Sequence, residues 1–252
     1  MGHQIVKIYK DPARDGLAKT FAEMSEAYGA EAVVSERKRT RELLRPSITA
    51  LAVMDMQVGF CDEKYLFPRG AVRPGESTKE IGLMVPKLAS FIDEARRYGV
   101  RLVWLRNDEE FGPGDPQYDY YGVRPRSGER EIVERDAFEN PELDAFLMRN
   151  GVTTLLCAGV YAHACVSELA KHAPLHGQDP VIVTDLTADL IVAWQGRGLY
   201  GAHLIAYPMP SENIIRTWAR IEAERQREMD SVTLGRQGNG EGLLYSKFLH
   251  LP

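Results

Sequence analysis

The sequence predicts an α/β domain of three layers, a mostly parallel central sheet with helices on both faces, preceded by a helical N-terminal arm. Three observations predict it. Short apolar runs of strand type alternate with stretches whose apolar residues recur every three to four positions, the order expected of a parallel sheet with right-handed crossovers. The first such run, Ile48 to Met54, is almost wholly apolar, which suits an internal strand covered on both faces. A chain of 252 residues, 44% apolar and 27% charged, is long enough for one sizeable domain with extensions.

Residues 1 to 46 are charged and rich in helix formers, with Leu17, Phe21, Met24 and Tyr28 at helical spacing, and they predict an amphipathic helix and a second one ending at Arg45-Pro46. The domain proper is expected over 47 to 228. After the first strand, Gly59 to Pro74 reads as a loop holding Cys61, Lys64, Phe67 and Arg69. A helix over Ser77 to Arg97 places Ile81, Met84, Leu88, Phe91 and Ile92 on one face and stops at Gly99. The strand Val100 to Leu105 precedes a long polar stretch, Asn107 to Arg130, whose Tyr118, Tyr120 and Tyr121 are candidate pocket walls. Ile132-Val133 reads as a short edge strand. A helix follows from Pro141 to Asn150-Gly151, then the strand Val152 to Ala158 and the helix Ala164 to His172. The strand Pro180 to Thr184 ends at Asp185, and a helix near 190 to 199 leads to the strand Ala202 to Tyr207. The last helix runs from Ser211, a suitable cap, to about Arg227, and the Gly-rich remainder, 229 to 252, is expected to be a loop-like tail.

Charge and cysteine content narrow the function. A net charge of -5 without a basic stripe argues against nucleic acid. No apolar run approaches the ~18 residues of a membrane span, and Met1 to Lys10 lacks a signal-peptide core. Three cysteines argue for a reducing compartment, by default the cytoplasm. Walker, dinucleotide-fingerprint and G-x-S-x-G patterns are absent, and Pro174 spoils the helix that would align His172 with His176, so neither a metal nor a cofactor is expected. The expected partner is a small-molecule substrate.

Two residues stand out for chemistry. Cys165 opens a helix directly after a strand, where unpaired N–H groups and the helix dipole favour a thiolate; the plain alternative is a small buried hydrophobe. Asp55 closes the first strand and is a candidate base or a turn cap. In a parallel sheet both lie at carboxyl ends of strands, so they can converge.

The run Ala50 to Gln57 with Phe60 resembles the D-x-Q-x-x-F strand end of the isochorismatase-like cysteine hydrolases. Gly159-Val160-Tyr161-Ala162-His163-Ala164-Cys165-Val166 is similar to that family's G-V-x-T-D-x-C-V signature, Ala137-Phe138 through Leu143 to its A-F-x-x-T-x-L, and Asp185 falls where the family commonly has an acid. The resemblance spans about 47 to 220. It implies the isochorismatase-like fold, homodimers or homotetramers, and a Cys-Asp-Lys triad cleaving C–N bonds of small amides, ureas or carbamoyl compounds. Cys165 would be the nucleophile, Asp55 the acid/base, and Val160-Tyr161 a cis peptide that turns the Tyr161 and Cys165 N–H groups into an oxyanion hole. Gln57, Phe60 and Tyr121 are the candidate substrate-binding residues.

The chain departs from the pattern in two places. No lysine occurs between Lys87 and Lys171, so Arg135, or Lys64 from the earlier loop, stands in for the family lysine, and a guanidinium cannot give up its proton. Ala162 and His163 replace the signature Thr and Asp. Besides the amide hydrolase, the alternatives are a vinyl ether hydrolase, whose family members generally lack the cysteine, and a non-catalytic binder or scaffold.

Overall fold

The computed structural model describes residues 38–66, 74–108, 111–134, 141–202 and 206–238. Six strands form one parallel sheet: β1 Thr49–Met54, β2 Arg101–Asn107, β3 Arg130–Glu134, β4 Thr154–Val160, β5 Asp179–Ala188 and β6 Tyr207–Met209. Their order is β3-β2-β1-β4-β5-β6. Chain direction therefore reverses its sense of progress between β1 and β4. A crevice opens at such a point, beyond the carboxyl ends of the strands, because the crossovers on either side leave to opposite faces.

The pleat sorts side chains to two cores. Leu51, Val53, Trp104, Leu156, Val181 and Val183 face α3 (Lys79–Arg97) and α7 (Ser211–Gly238), meeting Leu88, Phe91, Ile214 and Trp218. Ala50, Ala52, Met54, Val103, Leu155 and Ile182 face α4 (Pro141–Arg149) and α5 (Cys165–His172), meeting Leu143, Leu147, Val166 and Leu169. β1 and β4 are buried at every position, as a strand covered on both faces must be. Residues 38–43 are helical, and Leu44 behind them accepts a hydrogen bond from the Trp218 indole at 3.0 Å, tying this segment to α7.

Several boundaries differ from expectation. The stretch expected to be a loop after β1 holds two one-turn helices, α1 Val58–Cys61 and α2 Glu63–Leu66, because Asp62 ends the first by donating its N–H to Val58 O and starts the second through its carbonyl and carboxylate. β5 runs on through Asp185 to Ala188, its later pairing to β4 shifted at a bulge between Cys157 and Gly159. α6 spans Val192–Ala202, so the expected strand at 202 shrinks to the three residues of β6. α7 continues to Gly238, no proline intervening to stop it, where a tail was expected from 229. The expected helix around Leu17 to Tyr28 lies outside the described residues, as does 239–252.

Candidate active site

Asp55 follows the last residue of β1 with φ +51°, a left-handed conformation uncommon for a residue with a Cβ. Its N–H donates to Leu105 O of β2 at 3.0 Å and its carbonyl accepts from Gln57 N–H at 2.7 Å, so strand and turn together hold it there. The side chain is buried.

The neighbouring strand supplies the sulfur. Gly159 pairs with Met54 at φ +116°, and a Cβ there would stand 2.1 Å from the Met54 carbonyl oxygen, so only glycine lets β4 approach β1 this closely. The Val160-Tyr161 peptide is cis. Past it the chain turns sharply into α5, and the N–H groups of the turn divide into two sets. Ala162 donates to Ala188 O (2.9 Å), His163 to Asp189 Oδ2 (3.1 Å), and Ala164 and Val166 to Tyr161 O (3.1 and 3.2 Å). The N–H groups of Tyr161 and Cys165 point to the Cys165 sulfur.

The Cys165 thiol is hydrogen-bonded to the Asp55 carboxyl group. Burial is the largest influence on that thiol and pushes its pKa up; the Asp55 charge and hydrogen bond act the same way, while the two backbone N–H groups pull it down. Burial and the neighbouring acid thus hold the proton on sulfur, beside the Asp55 carboxyl group. The other cysteines differ. Cys157, inside β4, is pushed up to about 12 by burial alone. Cys61 is fully buried on α1 and raised by burial and then by Asp55, whose backbone carbonyl is 4.0 Å from its sulfur.

Other candidates are scattered. Gln57 is fully buried, its Nε2 donates to Asn107 O (3.0 Å) and its Oε1 accepts from Asn107 N–H (2.8 Å), so it fastens the end of β1 to the end of β2. Phe60 is half-buried, its ring 4.9 Å from Phe111 and 6.1 Å from Tyr161, and its carbonyl accepts the Tyr161 hydroxyl at 2.8 Å. Tyr121 is half-buried and anchored by its N–H to Met56 O; burial, then the charges of Asp62 and Cys61, push its phenol up. Tyr118 and Tyr120 flank the Arg106 guanidinium at 3.7 and 4.4 Å and brace their loop against β2. Lys64 is exposed, its ammonium 5.0 Å over the Tyr65 ring. Arg135 lies outside the described residues. Asp185 accepts from Ser211 N–H and Oγ–H, both at 2.7 Å, and caps α7.

One acid at this end of the sheet escaped the sequence reading. Asp189, one residue beyond β5, is 1% exposed and bonds the turn that carries the sulfur. The signal was present in Thr187-Ala188-Asp189, but the polar residues from Thr184 onward ended the apolar pattern that marked the strand. Among the described residues no group of three or more His, Cys, Asp or Glu is placed to hold a metal ion.

The isochorismatase domain model matches residues 49–206. A probable inactive nicotinamidase of Arabidopsis thaliana is 27% identical over 166 residues, 56% of this chain and 80% of that protein. Among solved structures, an isochorismatase-like hydrolase from Alkaliphilus metalliredigens superposes with a TM-score of 0.59 at 22% identity, covering 68% of this chain and 96% of that one. N-carbamoylsarcosine amidase from Thermoplasma acidophilum superposes at 0.51 and 23% identity, covering 65% and 96%.

Proposed function

The chain belongs to the isochorismatase family, and we propose that it is a cysteine hydrolase opening a C–N bond of a small amide, urea or carbamoyl compound through a thioester on Cys165. The observation that carries this reading is the thiol of Cys165 bonded to the carboxyl group of Asp55, with two backbone N–H groups at the same sulfur. As sulfur attacks the substrate carbonyl, Asp55 takes the thiol proton, so no free thiolate has to be maintained in a buried site. The carbonyl oxygen becomes an oxyanion facing the N–H groups of Tyr161 and Cys165, each such donor typically contributing ~3 kcal/mol in the transition state. Protonated Asp55 then gives its proton to the nitrogen as the C–N bond breaks. Water attacks the thioester, yields its proton to Asp55, and the acid leaves as the thiol is restored. Phe60 and Tyr121 form walls for the substrate, and a structural neighbour with the amidase name gives the same fold to this class of reaction.

A second reading, a ligand-binding protein without turnover, is favoured by the absence of any lysine between Lys87 and Lys171 and by the inactive relative. Two measurements separate them. A panel of small primary amides, ureas and N-carbamoyl compounds is assayed for ammonia, and the protein is treated with iodoacetamide at neutral pH. The hydrolase reading expects release that is lost in Cys165→Ser, with Cys165 alkylated ahead of Cys61 and Cys157. Equal labelling, or release that survives Cys165→Ser, overturns it.

A further inference from the structure

His163 and Asp189 form a pair that the chemistry above does not use. The Asp189 carboxylate accepts three hydrogen bonds although it is 1% exposed: from His163 N–H (3.1 Å) and from the His163 ring nitrogen Nδ1 (2.5 Å) on one oxygen, and from Leu190 N–H (2.9 Å) on the other. The imidazole is clasped as well, with the Tyr161 ring at 6.4 Å and the Trp194 ring at 5.0 Å. Helix α6 presses on the same turn, for a Cβ on Gly198 would come within 2.4 Å of His163 Cα and 2.5 Å of Ala162 O. With Nδ1 against the Asp189 carboxyl group, this imidazole is held in one orientation.

We propose that His163 and Asp189 are a positioning pair for the nucleophile turn. A five-residue turn has few conformations that send two N–H groups to one sulfur, and which acceptors its other N–H groups find decides among them. By drawing the N–H of His163 to Asp189 while Ala162 bonds Ala188, the end of β5 holds the middle of the turn away from the crevice. The N–H groups of Tyr161 and Cys165 are then the two left to serve the sulfur. The side-chain bond clamps the same residue a second time, so rotation of the turn must break two contacts to Asp189 at once. This inference rests on Cys165 being the nucleophile.

The test compares full-length wild type with His163→Ala and with His163→Asn, whose side-chain amide N–H can reach Asp189 from the place of Nδ1. His163 lies near the surface, so the fold is expected to survive either change. Two quantities are read: the rate of Cys165 alkylation by iodoacetamide, and amide hydrogen exchange across residues 159–166, with β2 as the internal control. Losing one such charge-assisted bond is expected to slow alkylation about tenfold and speed exchange in the turn about tenfold in His163→Ala, with β2 unchanged. His163→Asn is expected to recover both to within about threefold. An alanine variant that matches wild type in exchange, or an asparagine variant as impaired as alanine, overturns the proposal. A wild-type Cys165 no more reactive than Cys61 and Cys157 sinks the hydrolase reading instead, and the exchange measurements then decide the positioning by themselves.

Discussion

Cys165 and Asp55 make opposite demands on each other, and that opposition is measurable. In the proposed reaction the carboxylate is the base, yet its charge and its hydrogen bond both hold the proton on sulfur. Asp55→Asn is therefore expected to cut turnover by about 10²–10⁴, the usual contribution of a positioned acid/base, while lowering the pH at which Cys165 becomes half-alkylated. A purely structural Asp55 would leave turnover in proportion to folded protein. The buried thiols give a second outcome through linkage. A folded pKa above the ordinary 9.0, about 12 for Cys157, means that between these values the unfolded chain has released a proton that the folded chain still holds. Stability then falls as pH rises through that window, by at most roughly 4 kcal/mol for this thiol if the transition is complete. Urea midpoints at pH 8 and pH 10.5 are expected to differ less in Cys157→Ala than in wild type.

At the scale of elements, the site is a by-product of how two strands end. Gly159 sets the spacing of β4 against β1, and Gly159→Ala places a methyl group against the Met54 carbonyl in a backbone region that disfavours any Cβ. A loss of about 3 kcal/mol or more is expected in chemical denaturation, with Cys165 losing its preferential alkylation in whatever folds. Asp185 gives the contrasting case. It lies on the strand that leads to the positioning acid but serves α7, so Asp185→Ala is expected to lose about 1–2 kcal/mol of stability, by the same denaturation, and leave Cys165 alkylation unchanged. The sequence distinguishes these two acids poorly. Strand β5 carries Asp185 toward a partner supplied by α7, and hydrophobic periodicity does not record such a partner.

For the whole molecule, the parallel sheet, its helix layers and the meeting of Asp55 with Cys165 were legible, because burial on both faces writes continuous apolar runs and ligand sites gather at strand ends. The order of strands was not legible, since any of the apolar runs can pair with any other; nor was the Gln57 bond to Asn107, which depends on where β2 ends. The extent of α7 was also missed, and it bears on assembly. Trp218 is the last residue this helix buries fully among the described ones, yet the helix continues to Gly238 with Met229 and Val232 about half exposed three residues apart, hence on one face. Apolar side chains repeated on one face of an extended helix are most simply covered by the same helix of another copy, in an isologous contact. The chain is thus expected to run in light scattering at twice or four times its 28.3 kDa. Met229→Glu combined with Val232→Glu is expected to move that mass toward one chain without changing Cys165 alkylation, because the site lies at the far strand ends of β1 and β4. A wild-type mass of a single chain at micromolar concentration would reject the assembly, and a double variant that stays assembled would place the contact on another surface.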